Sequence, residues 1–382
     1  MRVLIAIDAP RVKEAGAAGV AFHHATELEK LGHRVQLWFH DDVLPKPRWP
    51  LKLQALEFAA TLARRIRENS RQFDVVDIHA PSGCLYGMYH KLFPSAQLPP
   101  YVFTMHGCEE RYVVAMRAED RKGRSDYFRW KNRAWHWLYH QRMFDYSIST
   151  ADYGAVVNRE GWLISELKHR HAFGRIWYVP NGVDEEFFLT RDFGLPPANR
   201  LLFVGSWLDR KGVYYLVDSF TELARRMEHL TLTVAGCQRS PDDVKAFFPP
   251  EIRNRVLVRP QLSRSEMPQI YASHDIFVLP SLMEGMPLVL LEAMATAMPV
   301  VTTNSSGMAD LVEHDYNGLL VPAADAQAFA RAVDRLTTDA NLRHYLGLNA
   351  QETVRRYTWP KVTSRLEHIL KLAAESRPKT AD

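Results

Sequence analysis

The chain has 382 residues, of which 47% are hydrophobic and 24% are charged, and its formal net charge is +4. This composition is that of a globular protein, and the length suits two α/β domains of ordinary size. The small net charge argues against a nucleic-acid-binding protein, which would carry a concentrated basic surface, but it is compatible with anionic substrates.

The cysteines and the apolar segments bear on where the protein resides. The three cysteines are odd in number, widely spaced and outside any metal-ligand pattern, which favours a reducing compartment. Residues 1–8 read as a buried first strand and not as a signal peptide. The longest nearly apolar stretch, Met286 to Val301, is interrupted by Glu292 and falls short of the roughly 20 residues of a membrane-spanning helix. We therefore expect a cytoplasmic protein without a transmembrane helix.

Short apolar or β-branched runs alternate with amphipathic segments along the chain, a rhythm typical of βαβ units. Such units predict parallel sheets covered by helices, with ligands at the carboxyl ends of the strands. The strands predicted in the first half are Val3–Ile7, Arg34–Phe39, Val75–His79, Tyr101–Met105 and Tyr146–Thr150. Those predicted in the second half are Leu201–Gly205, Leu230–Ala235, Arg255–Val258, Ile276–Pro280 and Pro299–Thr303. The fold class is α/β, with two Rossmann-like sheets.

The two halves meet at Tyr178-Val179-Pro180-Asn181-Gly182-Val183-Asp184, where a proline and an Asn-Gly pair predict a turn. We expect a first domain at 1–178 and a second at 179–358. An amphipathic segment after Tyr357-Thr358-Trp359-Pro360 predicts a last helix, so 359–382 form a separate C-terminal segment.

The segment Glu284 to Glu292 follows a predicted strand and leads into a helix. Pro287 suits the first helical turn, and Gly285 allows the backbone to approach a ligand closely. The amides and dipole of a helix start favour a phosphate, and Glu292 is a natural partner for a ribose diol. In the alternative interpretation, Glu284 is an acid beside the helix start and Glu292 is a solvated helix residue.

A second candidate site follows the strand that ends at Gly205. Arg210 and Lys211 stand at the start of the next helix, where two cations would meet a pyrophosphate. A solvated basic pair at a turn is the simpler interpretation of these two residues alone.

The first half offers a glycine-rich turn and a histidine. Gly16 to Val20, which includes Gly19, follows the first strand but lacks the Gly-x-Gly-x-x-Gly pattern of dinucleotide binding. His106-Gly107 follows the strand Tyr101–Met105, so an imidazole lies at a carboxyl strand end where chemistry would occur. A structural histidine is the alternative, and it is favoured for most of the 16 histidines, including His79.

Together these motifs resemble the retaining family 4 glycosyltransferases of GT-B fold, nearly end to end. The resemblance rests on Thr104 to Gly107, Val179 to Asp184, Lys211-Gly212, the Glu284–Glu292 motif, Asn317 to Pro322 and Thr358-Trp359. It implies two facing Rossmann-like domains with a cleft between them and a last helix that crosses back to the first domain.

The resemblance also implies site residues. Glu284 would contact the hydroxyls of the transferred sugar, Lys211 the pyrophosphate, and His106 the sugar near the reacting carbon, so these three are the candidate catalytic residues. The candidate donor-binding residues are Gly19, Ser206, Arg210, Lys211, Gly285, Met286, Pro287, Leu288 and Glu292.

Two departures from the family pattern bear on activity. Ser206 stands where the family usually has an arginine, and Arg210 is the residue that would compensate. Asn304-Ser305-Ser306-Gly307 replaces the usual paired glycines. Both changes raise the prospect of reduced activity.

The resemblance implies a retaining transfer from a nucleotide-sugar donor to a glycan, lipid-linked or small-molecule acceptor, in polysaccharide or glycolipid synthesis. The departing phosphate would help to deprotonate the acceptor hydroxyl. The chain has no Asp-x-Asp pair and no metal-ligand spacing, so we expect no cofactor and no metal. A nucleotide-sugar epimerase and a catalytically silent nucleotide-sugar-binding protein are the alternatives.

The segment Arg117 to Arg142 carries eight Arg or Lys residues against three acids, interleaved with aromatic residues. If it is helical, Tyr127, Trp130 and Trp137 share a face, which is more typical of core packing than of a membrane anchor. In the alternative, this surface docks an anionic lipid-linked or phosphorylated acceptor, in peripheral contact with an anionic membrane.

Overall fold

A computed structural model describes residues 1–13, 16–93, 97–125, 141–169, 174–191 and 198–376. Two parallel six-stranded sheets organise the described chain. The first contains Arg2–Ala6 (β1), Arg34–Trp38 (β2), Val75–His79 (β3), Tyr101–Met105 (β4), Tyr153–Val156 (β5) and Ile176–Tyr178 (β6), in the order β2-β1-β3-β4-β5-β6. The second contains Arg200–Val204 (β7), Thr231–Ala235 (β8), Val256–Arg259 (β9), Ile276–Leu279 (β10), Val300–Thr303 (β11) and Leu319–Val321 (β12), in the order β12-β11-β10-β7-β8-β9. The predicted α/β class with two parallel sheets is confirmed.

Helices connect the strands, as parallel pairing requires. Those in the first half are Gly16–Lys30, His40–Val43, Gln54–Glu68, Cys84–Leu92, Glu109–Arg121, Gln141–Thr150 and Arg159–Lys168. Those in the second half are Val213–Arg226, Pro241–Lys245, Met267–Ala272, Leu288–Ala295, Gly307–Leu311, Ala326–Thr338, Ala340–Val354 and Trp359–Glu375.

The chain divides into two compact units, each built on one sheet. The described residues within 1–109, 129–181 and 359–382 belong to the first unit, and those within 110–128 and 182–358 to the second. The last helix, Trp359–Glu375, thus belongs with the first sheet. Its residues Leu366, Ile369, Leu370 and Ala373, spaced as one helical face, are buried in the same core as β1.

One predicted strand is wrong, and three strands, β5, β6 and β12, were not predicted. Tyr146–Thr150 lies in the helix Gln141–Thr150, whose buried Met143, Ser147 and Ile148 recur at helical spacing. The strand of this region is β5, a little further along the chain. The strands β6 and β12 have only three residues each, too few for an alternating pattern to emerge.

Candidate functional site

The second sheet reverses its strand order between β7 and β10, the position at which open parallel sheets bind ligands. A short turn, Asp209–Lys211, follows β7, and Gly212 links it to the helix Val213–Arg226. Gly212 has a φ of +70°, and a Cβ on it would lie 1.9 Å from the carbonyl oxygen of Pro280. Only glycine therefore allows the turn to approach the end of β10, where it presents Lys211.

Lys211 is only 8% exposed, and its ammonium pairs with the carboxylate of Glu284. The distance from Lys211 Nζ to Glu284 Oε1 is 2.7 Å. Arg210 Nη1 donates to the other carboxylate oxygen at 3.0 Å, and Ser281 Oγ donates to Oε1 at 3.1 Å. The structure thus brings together three residues that the sequence predicted as site residues, at the ends of neighbouring strands.

Two cationic neighbours, Lys211 and Arg210, stabilise the negative charge of Glu284. Burial alone would raise the pKa of this carboxyl group, but Lys211 and Arg210 outweigh it, and the pKa lies below its ordinary value. Glu284 is therefore ionised at neutral pH. A buried ion pair is a costly way to stabilise a fold, so its presence at the carboxyl ends of two strands favours a functional role.

Glu292 lies in the fifth position of the helix Leu288–Ala295 and is 3% exposed. Its Oε1 accepts from Arg264 Nη1 at 2.5 Å, and its Oε2 accepts from the hydroxyl of Tyr271 at 2.8 Å. Arg264 also pairs with Asp184 at 2.5 Å. Glu292 is therefore not a solvated helix residue, and its contact with a ribose stays a prediction.

Arg264, Tyr271 and Asp184 were not predicted as site residues. Arg264 and Tyr271 lie in or beside a short helical segment before β10, and nothing in their local sequence marks them. Asp184 stood in the predicted inter-domain turn, and its position beside a proline and an Asn-Gly pair was the only available signal.

The loop between Glu284 and the helix is buried and differs from expectation in one detail. Gly285, Met286 and Pro287 are buried, whereas Leu288 is partly exposed. Pro287 precedes the helix as its N-cap, with extended backbone, and is not in the first helical turn as predicted. An N-cap residue keeps non-helical dihedral angles, and proline adopts such angles readily.

Residues 304–307, which follow β11, brace this loop. Ser305 Oγ donates to the carbonyl of Leu282 at 2.7 Å, and the Gly307 amide donates to the carbonyl of Glu284 at 3.2 Å. Between them, Ser306 has a φ of +49°, a conformation that favours glycine. The buried Ser306 hydroxyl has no hydrogen-bond partner among the described residues.

Because glycine adopts a positive φ without strain, Ser306→Gly is expected to stabilise the protein by about 1 kcal/mol. Thermal and urea unfolding would measure this. The matched change Ser305→Gly removes a hydrogen bond at an adjacent position and is expected to destabilise. A lower melting temperature for Ser306→Gly would show that the serine is not strained.

The remaining predicted donor-binding residue of this unit, Ser206, follows Gly205 directly. Gly205 has a φ of +142°, and the backbone carbonyl of Ser206 accepts from the amide of Leu208 at 2.9 Å. Ser206 is partly exposed. Arg210 contacts Glu284 nearby, and its compensation for the arginine usual at position 206 stays a prediction.

In the first unit, His106 follows β4 and is hydrogen-bonded to His79, with 2.8 Å between Nε2 and Nδ1. Burial lowers the pKa of His106 to about 4, so its ring is neutral at neutral pH. Gly19 lies in the first turn of the helix Gly16–Lys30, where a Cβ would lie 2.7 Å from the carbonyl oxygen of Lys13. A side chain at this position would collide with the backbone of Lys13, which is a sufficient reason for a glycine here. The contact of Gly19 with the donor stays a prediction.

Most of the basic aromatic segment, including Tyr127, Trp130 and Trp137, lies outside the described residues. Within its described part, Lys122 Nζ donates to the Tyr215 hydroxyl at 2.6 Å and lies 3.0 Å from Glu119. Lys122 therefore contributes to packing inside the second unit.

Among the described residues, no histidine, cysteine, aspartate or glutamate side chains form a group of three that could hold a metal ion, and no helix is long and apolar enough to cross a bilayer. Independence from metal ions, contact with anionic lipid and the cytoplasmic location stay predictions.

The chain is similar to curated glycosyltransferases over part of its length. An uncharacterized glycosyltransferase of Methanocaldococcus jannaschii is 28% identical over 195 residues, 50% of each chain. The alpha-D-kanosaminyltransferase of Streptomyces kanamyceticus is 31% identical over 163 residues, 42% of each chain. The matched segments thus span about half the length of these curated relatives.

Solved structures share the fold at low identity. Sucrose-phosphate synthase of Thermosynechococcus elongatus superimposes with a TM-score of 0.77 at 18% identity, covering 98% of this chain and 100% of that one. The HepE protein of Anabaena in complex with UDP gives 0.68 at 16% identity, covering 97% and 100%.

Family matches cover most of the sequence. Residues 15–187 match Glycosyltransferase Family 4, and residues 198–339 match Glycosyl transferases group 1. The two matches follow one another along the chain, one on each sheet. The chain therefore belongs to the family 4 glycosyltransferases of GT-B fold.

Proposed function

We propose that the protein transfers a sugar from a nucleotide-sugar donor to a glycan, lipid-linked or small-molecule acceptor, with retention of anomeric configuration. The observation that carries this proposal is the cluster of the buried Lys211 and Glu284 with the partly buried Arg210, at the strand reversal of the second sheet. Two cations held at one place suit the diphosphate of a donor, and the carboxylate suits the hydroxyls of its sugar.

In the proposed reaction, the bond between the anomeric carbon and the diphosphate oxygen breaks, and the electron pair leaves with the diphosphate. The acceptor oxygen forms the new bond on the same face, and its proton passes to the departing phosphate. Lys211 and Arg210 stabilise the negative charge that develops on the leaving group. Glu284 orients the sugar and Glu292 the ribose, while His106 contacts the sugar near the reacting carbon.

The names of several relatives support a donor and acceptor of this kind. One is a UDP-Gal:alpha-D-GlcNAc-diphosphoundecaprenol galactosyltransferase of Escherichia coli, 29% identical over 180 residues. The HepE protein of Anabaena has structures with UDP-glucose and with UDP and glucose. Synthesis of an envelope polysaccharide or glycolipid is consistent with these relatives.

A thermal-shift and turnover screen against UDP-, GDP-, ADP- and TDP-sugars tests the proposal. We expect one donor to stabilise the protein, by about 2.7 kcal/mol at a hundred times its Kd, and to release its nucleotide slowly. Glu292→Gln should weaken both effects, whereas Glu251→Gln, at an exposed residue of the same unit, should leave both unchanged.

The outcomes of this screen separate the alternatives. Conversion of the donor sugar without transfer would indicate an epimerase. Stabilisation by a donor with no turnover, in the presence of an acceptor panel, would indicate a silent binding protein. If no nucleotide stabilises the protein, the proposed donor site is wrong.

A further inference from the structure

A row of polar side chains runs along β3 and β4, which are otherwise apolar and buried. Asp77 and His79 are two residues apart on β3 and therefore point to the same face of the sheet. Thr104 is paired in register with His79, and His106 follows two residues later. Asp77 and His79 are 1% and 2% exposed. Buried polar groups destabilise a sheet core unless they are satisfied, so this row calls for a physical explanation.

The contacts within the row form a chain. Thr104 Oγ1 donates to Asp77 Oδ1 at 2.8 Å, and His79 Nδ1 lies 2.8 Å from His106 Nε2. The second carboxylate oxygen, Asp77 Oδ2, lies 3.9 Å from His79 Nε2. Among the described residues, no donor is within hydrogen-bonding distance of that oxygen. In the part of the chain that the structure describes, Asp77 Oδ2 therefore accepts no hydrogen bond, and it faces Nε2 of His79, the ring nitrogen that does not contact His106.

The hydrogen bond between two neutral imidazoles requires one ring to donate and the other to accept. If His79 carries its proton on Nε2, that N–H faces Asp77 Oδ2, and Nδ1 accepts from His106. If His79 carries its proton on Nδ1, its Nε2 lone pair faces the carboxylate oxygen instead. The first arrangement is attractive and the second repulsive when Asp77 is ionised, so the carboxylate selects the first.

Burial keeps the rings of this cluster neutral. It lowers the pKa of His79 well below its ordinary value, and the positive charge that His106 and His24 would carry lowers it further. His24, on the helix Gly16–Lys30, has a pKa lowered to about 3 by burial and by His106 and His23. Burial also raises the pKa of Asp77 to about 7, so its charge is gained near neutral pH.

We propose that Asp77 and His79 are positioning residues that place the proton of His106 on Nε2, so that His106 offers Nδ1 as a hydrogen-bond acceptor. A substrate hydroxyl is the donor that this acceptor would take. That last step rests on the proposed function, whereas the tautomer itself does not.

The variant Asp77→Asn tests the relay because it keeps the shape and removes the charge. Its amide oxygen would still accept from Thr104, which turns the amide N–H₂ toward His79 Nε2. His79 must then carry its proton on Nδ1 and donate to His106 Nε2, so the proton of His106 moves to Nδ1. The tautomers of both rings are therefore expected to invert.

Long-range ¹H–¹⁵N correlation spectra of the full chain, labelled at histidine, would report both tautomers. Signals are assigned by their loss in His79→Gln and His106→Gln. At pH 8 we expect Nε2–H on both rings in the unsubstituted protein, Nδ1–H on both in Asp77→Asn, and no change in the control Asp74→Asn. Nδ1–H on His106 in the unsubstituted protein overturns the proposal, even if Asp77→Asn fails to fold.

Turnover provides a second readout. Loss of the acceptor should lower kcat/KM of Asp77→Asn about threefold to tenfold, the effect of one hydrogen bond. The pH profile of kcat/KM for the unsubstituted protein should show an inflection near the pKa of Asp77, and that inflection should be absent in Asp77→Asn. A purely structural role would lower activity without moving the profile. If the proposed function fails, turnover is absent and the spectra still decide the tautomer.

Discussion

Lys211→Gln is expected to lower sugar transfer about 10²- to 10³-fold, the usual effect of removing one group that stabilises charge in a transition state. The glutamine keeps much of the length of the side chain but not its charge. Because Lys211 is buried beside Glu284, no neighbouring water shell can replace the ammonium. Steady-state kinetics with the donor found in the screen would measure the effect.

Arg225→Gln is the matched control for this experiment. It removes a positive charge from the same unit, but Arg225 is exposed and its pair with Glu251 lies on the surface. Exposed pairs contribute about 0–1 kcal/mol to stability, so we expect unchanged kinetics and nearly unchanged unfolding. Equal activity of Lys211→Gln and Arg225→Gln would remove Lys211 from the site.

Gly307→Ala is expected to abolish turnover and to destabilise the protein by about 3 kcal/mol, the upper end of typical overpacking effects. A Cβ at this position would lie 1.7 Å from the carbonyl oxygen of Gly285. The atoms nearest to this Cβ all belong to the backbone of Gly285 and Met286, so no neighbouring side chain can move to relieve the collision. The loop that carries Glu284 must shift instead. Urea unfolding and donor-induced thermal shifts would measure the two effects.

Gly16→Ala is the control for the alanine substitution itself. Nothing lies within 4 Å of a Cβ at Gly16, which begins a helix. Since alanine favours helix more than glycine does, the control should be neutral or slightly stabilising. Full activity of Gly307→Ala would show that the loop tolerates displacement and that its tight contact has no bearing on the site.

The elements that sequence patterns predicted well are those whose signal is local. β3 and β4 are five-residue segments rich in β-branched and aromatic residues, and their predicted bounds agree with the structure. The strand predicted at Tyr146–Thr150 was wrong because tyrosine, isoleucine and threonine favour strands individually. The buried residues of this segment instead follow helical spacing.

The same distinction holds for the site. Lys211 and Glu284 were predictable because each stands at a recognisable turn after a strand, although their direct pairing was not. Arg264 reaches Glu292 across 28 positions and Asp184 across 80, contacts that only the folded chain creates. His79 was set aside as structural because a lone histidine after a strand has no distinguishing pattern. Its partner His106 directly follows the neighbouring strand, β4.

The internal pairing of Glu284 has a consequence for the thermodynamics of donor binding. Lysine and arginine side chains are long, and immobilising such a side chain on binding costs about 0.5–1.5 kcal/mol. Here Glu284 already holds Lys211 and Arg210 in place before any ligand arrives. The entropy of these two side chains is lost during folding, so the diphosphate of the proposed donor would meet a prearranged pair of cations, and its affinity would not be reduced by ordering them.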